Sequence, residues 1–153
     1  MSLIATGHSP NIVRLTPYYI FFGLKSKFAL DVCAPVEYCP SKDFCTEFYT
    51  EEDNALEREW FGRVWMNPPF HRKTIKLWMK RMKEHNNGIA LVTSYFTSEW
   101  FQHNPPDGMF LLDHRIKFEG IPVNDKSTVE GMYPCILLAY GEECSSILAA
   151  CSL

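Results

Sequence analysis

This chain has no surplus of positive charge. Fifteen Lys and Arg stand against 18 Asp and Glu in 153 residues, a formal net charge of −3. That excludes a protein that coats nucleic acid through bulk charge, though not one with a local basic face. Metal-site spacing is also missing. The six cysteines, Cys33, Cys39, Cys45, Cys135, Cys144 and Cys151, form no C-x-x-C pair. No histidine stands near the evenly spaced first three, and His8, His71, His85, His103 and His114 show no ligand spacing, so no metal is expected. No apolar run approaches membrane-spanning length, so no membrane partner is expected. Residues 1–13 lack a basic leader and are interrupted by Pro10, which argues against a secretory signal. The cysteines then read as reduced thiols rather than a disulfide framework, and the expected location is the cytoplasm. There is no internal repeat and no low-complexity stretch.

What is present suits one domain with one core. Hydrophobic residues make up 46% of the chain and aromatics 14%. Aromatics serve cores first, but they also stack on bases, which favours a nucleotide or nucleic-acid ligand. The expected organisation is an N-terminal arm over 1–15, a domain over 16–141 and an unassigned tail over 142–153.

Apolar patterning predicts strands at 28–33, 62–66, 88–93, 109–118 and 134–139. Thr16-Pro17 reads as the start of a short aromatic helix over 18–25, with Thr16 as N-cap and Pro17 at the first helical position. The clearest helix spans 72–85, where Ile75, Trp78, Met79 and Met82 share one face. Asn86-Asn87-Gly88 closes it. Another short helix is expected over 98–103. Residues 36–54 show no period, 55–60 suggest one helical turn, and 119–131 read as a loop. Strands alternating with helices imply an α/β fold with a mostly parallel sheet. Ligands in such sheets lie at the carboxyl ends of the strands, where both Asp31-Val32-Cys33-Ala34 and Asn67-Pro68-Pro69-Phe70 fall.

The second of these segments has a chemical use. Two prolines stiffen the loop, the Pro68 carbonyl is free to accept, Asn67 adds a side-chain carbonyl, and Phe70 supplies a flat face. Two acceptors aimed at one point over a platform suit an aromatic amine, whose lone pair is delocalised into its ring. Holding both protons localises that lone pair, and stacking aligns it for transfer. A base in a duplex must be flipped out to reach such a pocket. Asn104-Pro105-Pro106-Asp107 lacks the aromatic and reads as a plain loop. Asp31 inside an apolar strand needs a partner or a ligand.

Asn67-Pro68-Pro69-Phe70 resembles the [N/D/S]-P-P-[Y/F/W] motif of amino-group methyltransferases. The ordered set is more specific. Thr16-Pro17, Leu30-Asp31-Val32-Cys33-Ala34, the segment 48–56 leading to Trp60, the tetrapeptide, residues 90–101 and His114-Arg115-Ile116-Lys117-Phe118 together resemble the phage-type DNA N6-adenine methyltransferase (Dam-like) family over about residues 16–141. The resemblance implies an abridged Rossmann-like S-adenosylmethionine-dependent methyltransferase fold acting on adenine N6 in double-stranded DNA, and a phage or prophage origin with activity in the bacterial cytoplasm. Asn67, Pro68, Pro69 and Phe70 would hold and stack the base. Asp31, Cys33 and Ala34 would lie beside the methionine part of the cofactor. Asp53 would lie near its adenosine, and Thr16 and Pro17 would close its pocket. The chain departs from most such enzymes in having Ala34-Pro35 where a glycine-rich loop is usual.

Several readings stay open on sequence. Cytosine N4, an RNA amine and a protein glutamine also present a planar amino group. A degenerate, non-catalytic nucleic-acid-binding domain would also account for the missing glycine loop. Lys73, Lys76, Lys80 and Lys83 form either a solvated face or a phosphate-binding stripe. Arg115 and Lys117 share a strand face, turned to solvent or lining a DNA cleft.

Overall fold

The computed structural model describes residues 14–36, 39–118 and 132–153. Among them are four helices: α1 (Tyr18–Leu24), α2 (Ile75–His85), α3 (Glu99–His103) and α4 (Glu142–Ala150). The central sheet contains β1 (Phe28–Asp31), β2 (Cys45–Phe48), β3 (Val64–Met66), β4 (Gly88–Thr93), β5 (Gly108–Leu111) and β8 (Cys135–Tyr140). A separate antiparallel ribbon pairs β6 (Ile116–Lys117) with β7 (Met132–Tyr133).

Across the sheet the order is β2-β1-β3-β4-β8-β5. β1 runs parallel to β2 and β3, and β3 runs parallel to β4. β8 is antiparallel to both its neighbours, so it alone is reversed. The chain leaves β1 toward one edge to make β2, then returns to lay β3 on the other side of β1. Between β1 and β3 lies the switch point beyond which open α/β sheets hold ligands.

Both faces of the sheet are covered. On one, α1 and α4 bring Ile20, Phe21, Leu24, Cys144 and Leu148 onto Trp65, Ile89, Leu91, Leu137 and Ala139. On the other, α2 brings Ile75, Trp78, Met79 and Met82 onto Val64, Met66, Ala90, Val92 and Leu138. Each such helix side chain, when fully buried, contributes roughly 1.5–3 kcal/mol of transfer free energy. Strands buried on both faces read as unbroken apolar runs, and for that reason the expected strand at 88–93 is the observed one.

Elsewhere the expectations shift. The first helix begins one residue later than expected, with Pro17 as N-cap, because the Thr16 hydroxyl bonds to Asn67 instead of capping. β2 is a strand where no period was visible; Thr46 and Glu47 are exposed, so it has too little apolar content to announce itself. The strand expected over 109–118 is two. β5 ends at Leu111, and the chain breaks at Asp113-His114, where His114 bonds to Tyr19, before β6 begins a different sheet. Residues 142–150, unassigned on sequence, form α4 against β5 and β8. Beyond it the Ser152 N–H donates to the Gly23 carbonyl at 2.8 Å, and Leu153 occupies the space a side chain at Gly23 would need. The arm at 1–13 and the loop at 119–131 lie outside the described residues.

Gly141 makes the turn from β8 into α4 with φ of +96°, and a Cβ there would lie 2.5 Å from the Asn86 carbonyl oxygen. Neither the backbone angle nor the backbone contact is relieved by moving a side chain. Gly141→Ala is expected to cost about 2–4 kcal/mol in urea-induced unfolding at constant m-value.

Candidate functional site

The carboxyl ends of β1, β2, β3 and β4 form one rim. At its centre Asn67 follows β3 directly. Its side-chain nitrogen donates to the Arg14 carbonyl at 3.0 Å and to the Thr16 hydroxyl at 3.0 Å. A carbonyl can only accept, so this pairing also settles which way the amide faces. Both N–H groups are used, and among the described residues the Asn67 Oδ1 accepts nothing. The Pro68 carbonyl likewise accepts no hydrogen bond among the described residues. Two acceptors therefore stand in a loop whose φ angles are held by Pro68 and Pro69.

Phe70 closes this loop half-buried. Phe118 packs edge-on to it, with centroids 5.7 Å apart at 72°, and fixes the ring plane. The Arg14 guanidinium carbon lies 5.3 Å from the Phe70 centroid, so one face of the ring carries a flat polar group. Thr16 and Pro17 are both buried, and Thr16 touches Asn67 directly. The arm residue that sequence reasoning missed is Arg14. Its carbonyl does the work, and a backbone group leaves no mark on a sequence.

At the end of β1, Asp31 is 4% exposed. Its Oδ1 accepts the Cys33 N–H at 3.0 Å, and its Oδ2 accepts the Ser41 hydroxyl at 2.5 Å. The first bond is an Asx turn that shapes Asp31-Val32-Cys33-Ala34 without glycine. Ala34 then donates its N–H to the Tyr49 carbonyl at 2.9 Å, which ties the turn to the end of β2. No cation faces Asp31 among the described residues. Burial pushes its carboxyl up to about 6, against the lowering effect of Ser41 and Cys33. Burial and Asp31 push the neighbouring Cys33 thiol well up, so it remains a thiol. Ser41 was not singled out on sequence, and no local pattern points to it.

Asp53 stands on the same rim after β2, with its carboxylate committed locally. Its Oδ2 accepts the Thr50 N–H at 2.8 Å and the Thr50 hydroxyl at 3.3 Å, a capping box, and its Oδ1 faces Arg58 at 3.9 Å. Lys73 and Lys76 are exposed at the start of α2, directly after the loop. Arg115 and Lys117 are exposed to either side of buried Ile116. The contact of Phe118 with Phe70 places this ribbon beside the loop. The structure thus gathers Asn67, Phe70, Thr16, Phe118 and Arg14 into one cluster, with Asp31 on the adjoining strand end.

A buried carboxyl titrating near 6, against about 3.9 in an unfolded chain, is most favourable to folding when protonated. That contribution is complete below about pH 4 and is lost as the pH rises through 6, a change of about 3 kcal/mol. Asp31→Asn removes it. The stability of the variant minus that of the parent, from urea titrations at pH 4 and pH 8, is expected to rise by that amount. An unchanged difference would show that Asp31 does not titrate there.

Comparison with the curated proteins and with the solved structures found no match. A family model described as DNA N-6-adenine-methyltransferase (Dam) matches residues 11–149, most of the chain and all of the rim just described. The chain belongs to the DNA N-6-adenine-methyltransferase (Dam) family.

Proposed function

We propose that this protein transfers a methyl group from S-adenosylmethionine to the N6 amino group of adenine in DNA, on an abridged Rossmann-like sheet. The observation that carries the reading is the fixed Asn67 amide. With both its N–H groups held by Arg14 and Thr16, only its oxygen is left to accept, in the same loop as the Pro68 carbonyl and Phe70. A flipped adenine stacked on Phe70 offers two amino protons to two carbonyl acceptors, which draws the nitrogen toward tetrahedral geometry and localises its lone pair. The acceptor dipoles also offset the positive charge that develops on the nitrogen before it loses a proton. Stacking on Phe70 contributes about 1–3 kcal/mol toward the cost of flipping. Family membership supports DNA as the substrate and adenine as the base.

The residues present fit the cofactor. Asp31 is a buried carboxylate with two hydrogen bonds and no cation among the described residues, at the switch point of the sheet. Asp31 would hold the ammonium group of a bound amino-acid moiety, which would supply the missing charge. The donor itself supplies a methyl group activated by a sulfonium. Cys33 and Ala34 line the same turn. Asp53 stands at the next strand end, its Oδ1 the less engaged oxygen. Thr16 acts through Asn67 as a positioning residue, with Pro17 fixing the entry of the arm. Lys73, Lys76, Arg115 and Lys117 are placed to meet phosphates on either side of the loop. Free thiols, and no helix long and apolar enough to cross a membrane among the described residues, are compatible with work on DNA in the cytoplasm.

The test is nucleoside mass spectrometry of DNA from a host lacking adenine methylation. Expression is expected to raise N6-methyladenine, and Asn67→Ala to lower kcat by at least about 10²-fold. Thr16→Val, which removes one of two restraints on that amide, is expected to cost about tenfold. A rise in N4-methylcytosine alone would assign the other base, and no methylated base at all would end the reading. Cofactor affinity is expected to be highest near pH 7, where the carboxylate and an α-ammonium are both charged, and to fall roughly tenfold per unit once the pH drops below that of Asp31 titration, near 6. In calorimetry, Asp31→Asn is expected to be weak at both ends of that range. A parent affinity that does not change with pH would remove Asp31 from the pocket.

A further inference from the structure

Resting on that function, we infer that Tyr95 is a second stacking contact for the substrate strand, separate from the Asn67 to Phe70 loop. β4 lies next to β3 with Met66 opposite Ala90. Phe70 is four residues past the first of these and Tyr95 five past the second, on neighbouring strands about 4.8 Å apart. Both loops therefore leave the same rim side by side. Tyr95 is 60% exposed, and among the described residues its ring and hydroxyl have no partner.

This exposure is held in place by the backbone around it. The Tyr95 N–H donates back to the Thr93 carbonyl at 2.9 Å, and the Tyr95 carbonyl accepts the Ser98 N–H at 3.1 Å and the Ser98 hydroxyl at 2.5 Å. The next residue, Phe96, is pinned by Phe101 edge-on at 5.4 Å and by Gln102, which donates to its carbonyl at 2.6 Å. A floppy surface tyrosine loses freedom when it stacks, whereas one on a backbone fixed by four hydrogen bonds gives up only its ring torsions. An exposed ring on a held backbone, one strand over from the loop proposed to hold the base, suits a nucleobase. It adds affinity without charge, which a chain with net charge −3 otherwise has in short supply.

The test uses the full chain, a fluorescein-labelled single-stranded mixed-sequence oligonucleotide, and unmethylated genomic DNA. Tyr95→Ala is expected to weaken oligonucleotide binding by roughly 5- to 150-fold and to raise KM for DNA more than it lowers kcat. Tyr95→Trp is expected to restore both. The slope of log affinity against log salt stays unchanged, because no ion pair is lost. Affinity for S-adenosylmethionine in calorimetry is expected to match the parent and serves as the check on folding. Parent-like binding and KM in Tyr95→Ala, with the parent methylating DNA, overturn this role and leave the function intact. A loss that Tyr95→Trp does not restore also overturns it. A parent that neither binds the oligonucleotide nor methylates DNA brings down the function and this role together.

Discussion

An amide whose two N–H groups are both taken by its own chain has only its oxygen left to give. The site depends on that restraint. Asn67 is an ambivalent side chain, donor at one end and acceptor at the other, and a free one would present either end to a ligand. The Arg14 carbonyl resolves the ambiguity, because it can only accept. The Thr16 hydroxyl takes the remaining proton. The proline pair does the same for the backbone, and Phe118 for the ring of Phe70. The side chains at the two ends of the loop are thus oriented by groups outside it and its backbone by its own prolines, as suits a site that works by positioning.

The same economy governs the end of β1. A glycine-rich turn offers backbone N–H groups to a ligand. Here the Cys33 and Ala34 N–H groups are spent on Asp31 and Tyr49. What remains is a carboxylate, buried and without a counter-charge among the described residues. Where a glycine-rich turn presents donors, this one presents a carboxyl group whose charge depends on pH.

Much of this was legible in the sequence, for identifiable reasons. Strand 88–93 and helix face Ile75, Trp78, Met79 and Met82 are buried deeply enough that their composition records it. The tetrapeptide drew notice because Asn67 and Phe70 flank its two prolines directly after a strand, as Asn104-Pro105-Pro106-Asp107 does not. β2 was not, since an edge strand with Thr46 and Glu47 in water carries no apolar period. The break between β5 and β6 was hidden by alternating apolar residues on both sides of it, while its cause, His114 reaching Tyr19, spans the chain. Thr16 drew notice as a helix cap and proved to serve Asn67. Asp53 drew notice as a ligand contact, and its carboxylate caps a turn. Thr16 and His114 meet partners distant in sequence, which local pattern cannot register.

β8 lies between β4 and β5 although it follows both in the chain. Until it arrives, β5 has no sheet neighbour and β4 has an open edge. The sheet cannot be laid down strand after strand; its second-last position is filled last. The strands that bear the rim, β2, β1, β3 and β4, are contiguous in sequence and pair without waiting. The β4–β8 register runs from Thr93 with Cys135 to Gly88 with Tyr140, pairs further apart in the chain than Leu30 and Val64 of β1 and β3, so the strand that completes the sheet also closes its longest loops. Without β8, the apolar edge of β4 is an unpaired strand edge, a form open to pairing with the wrong partner.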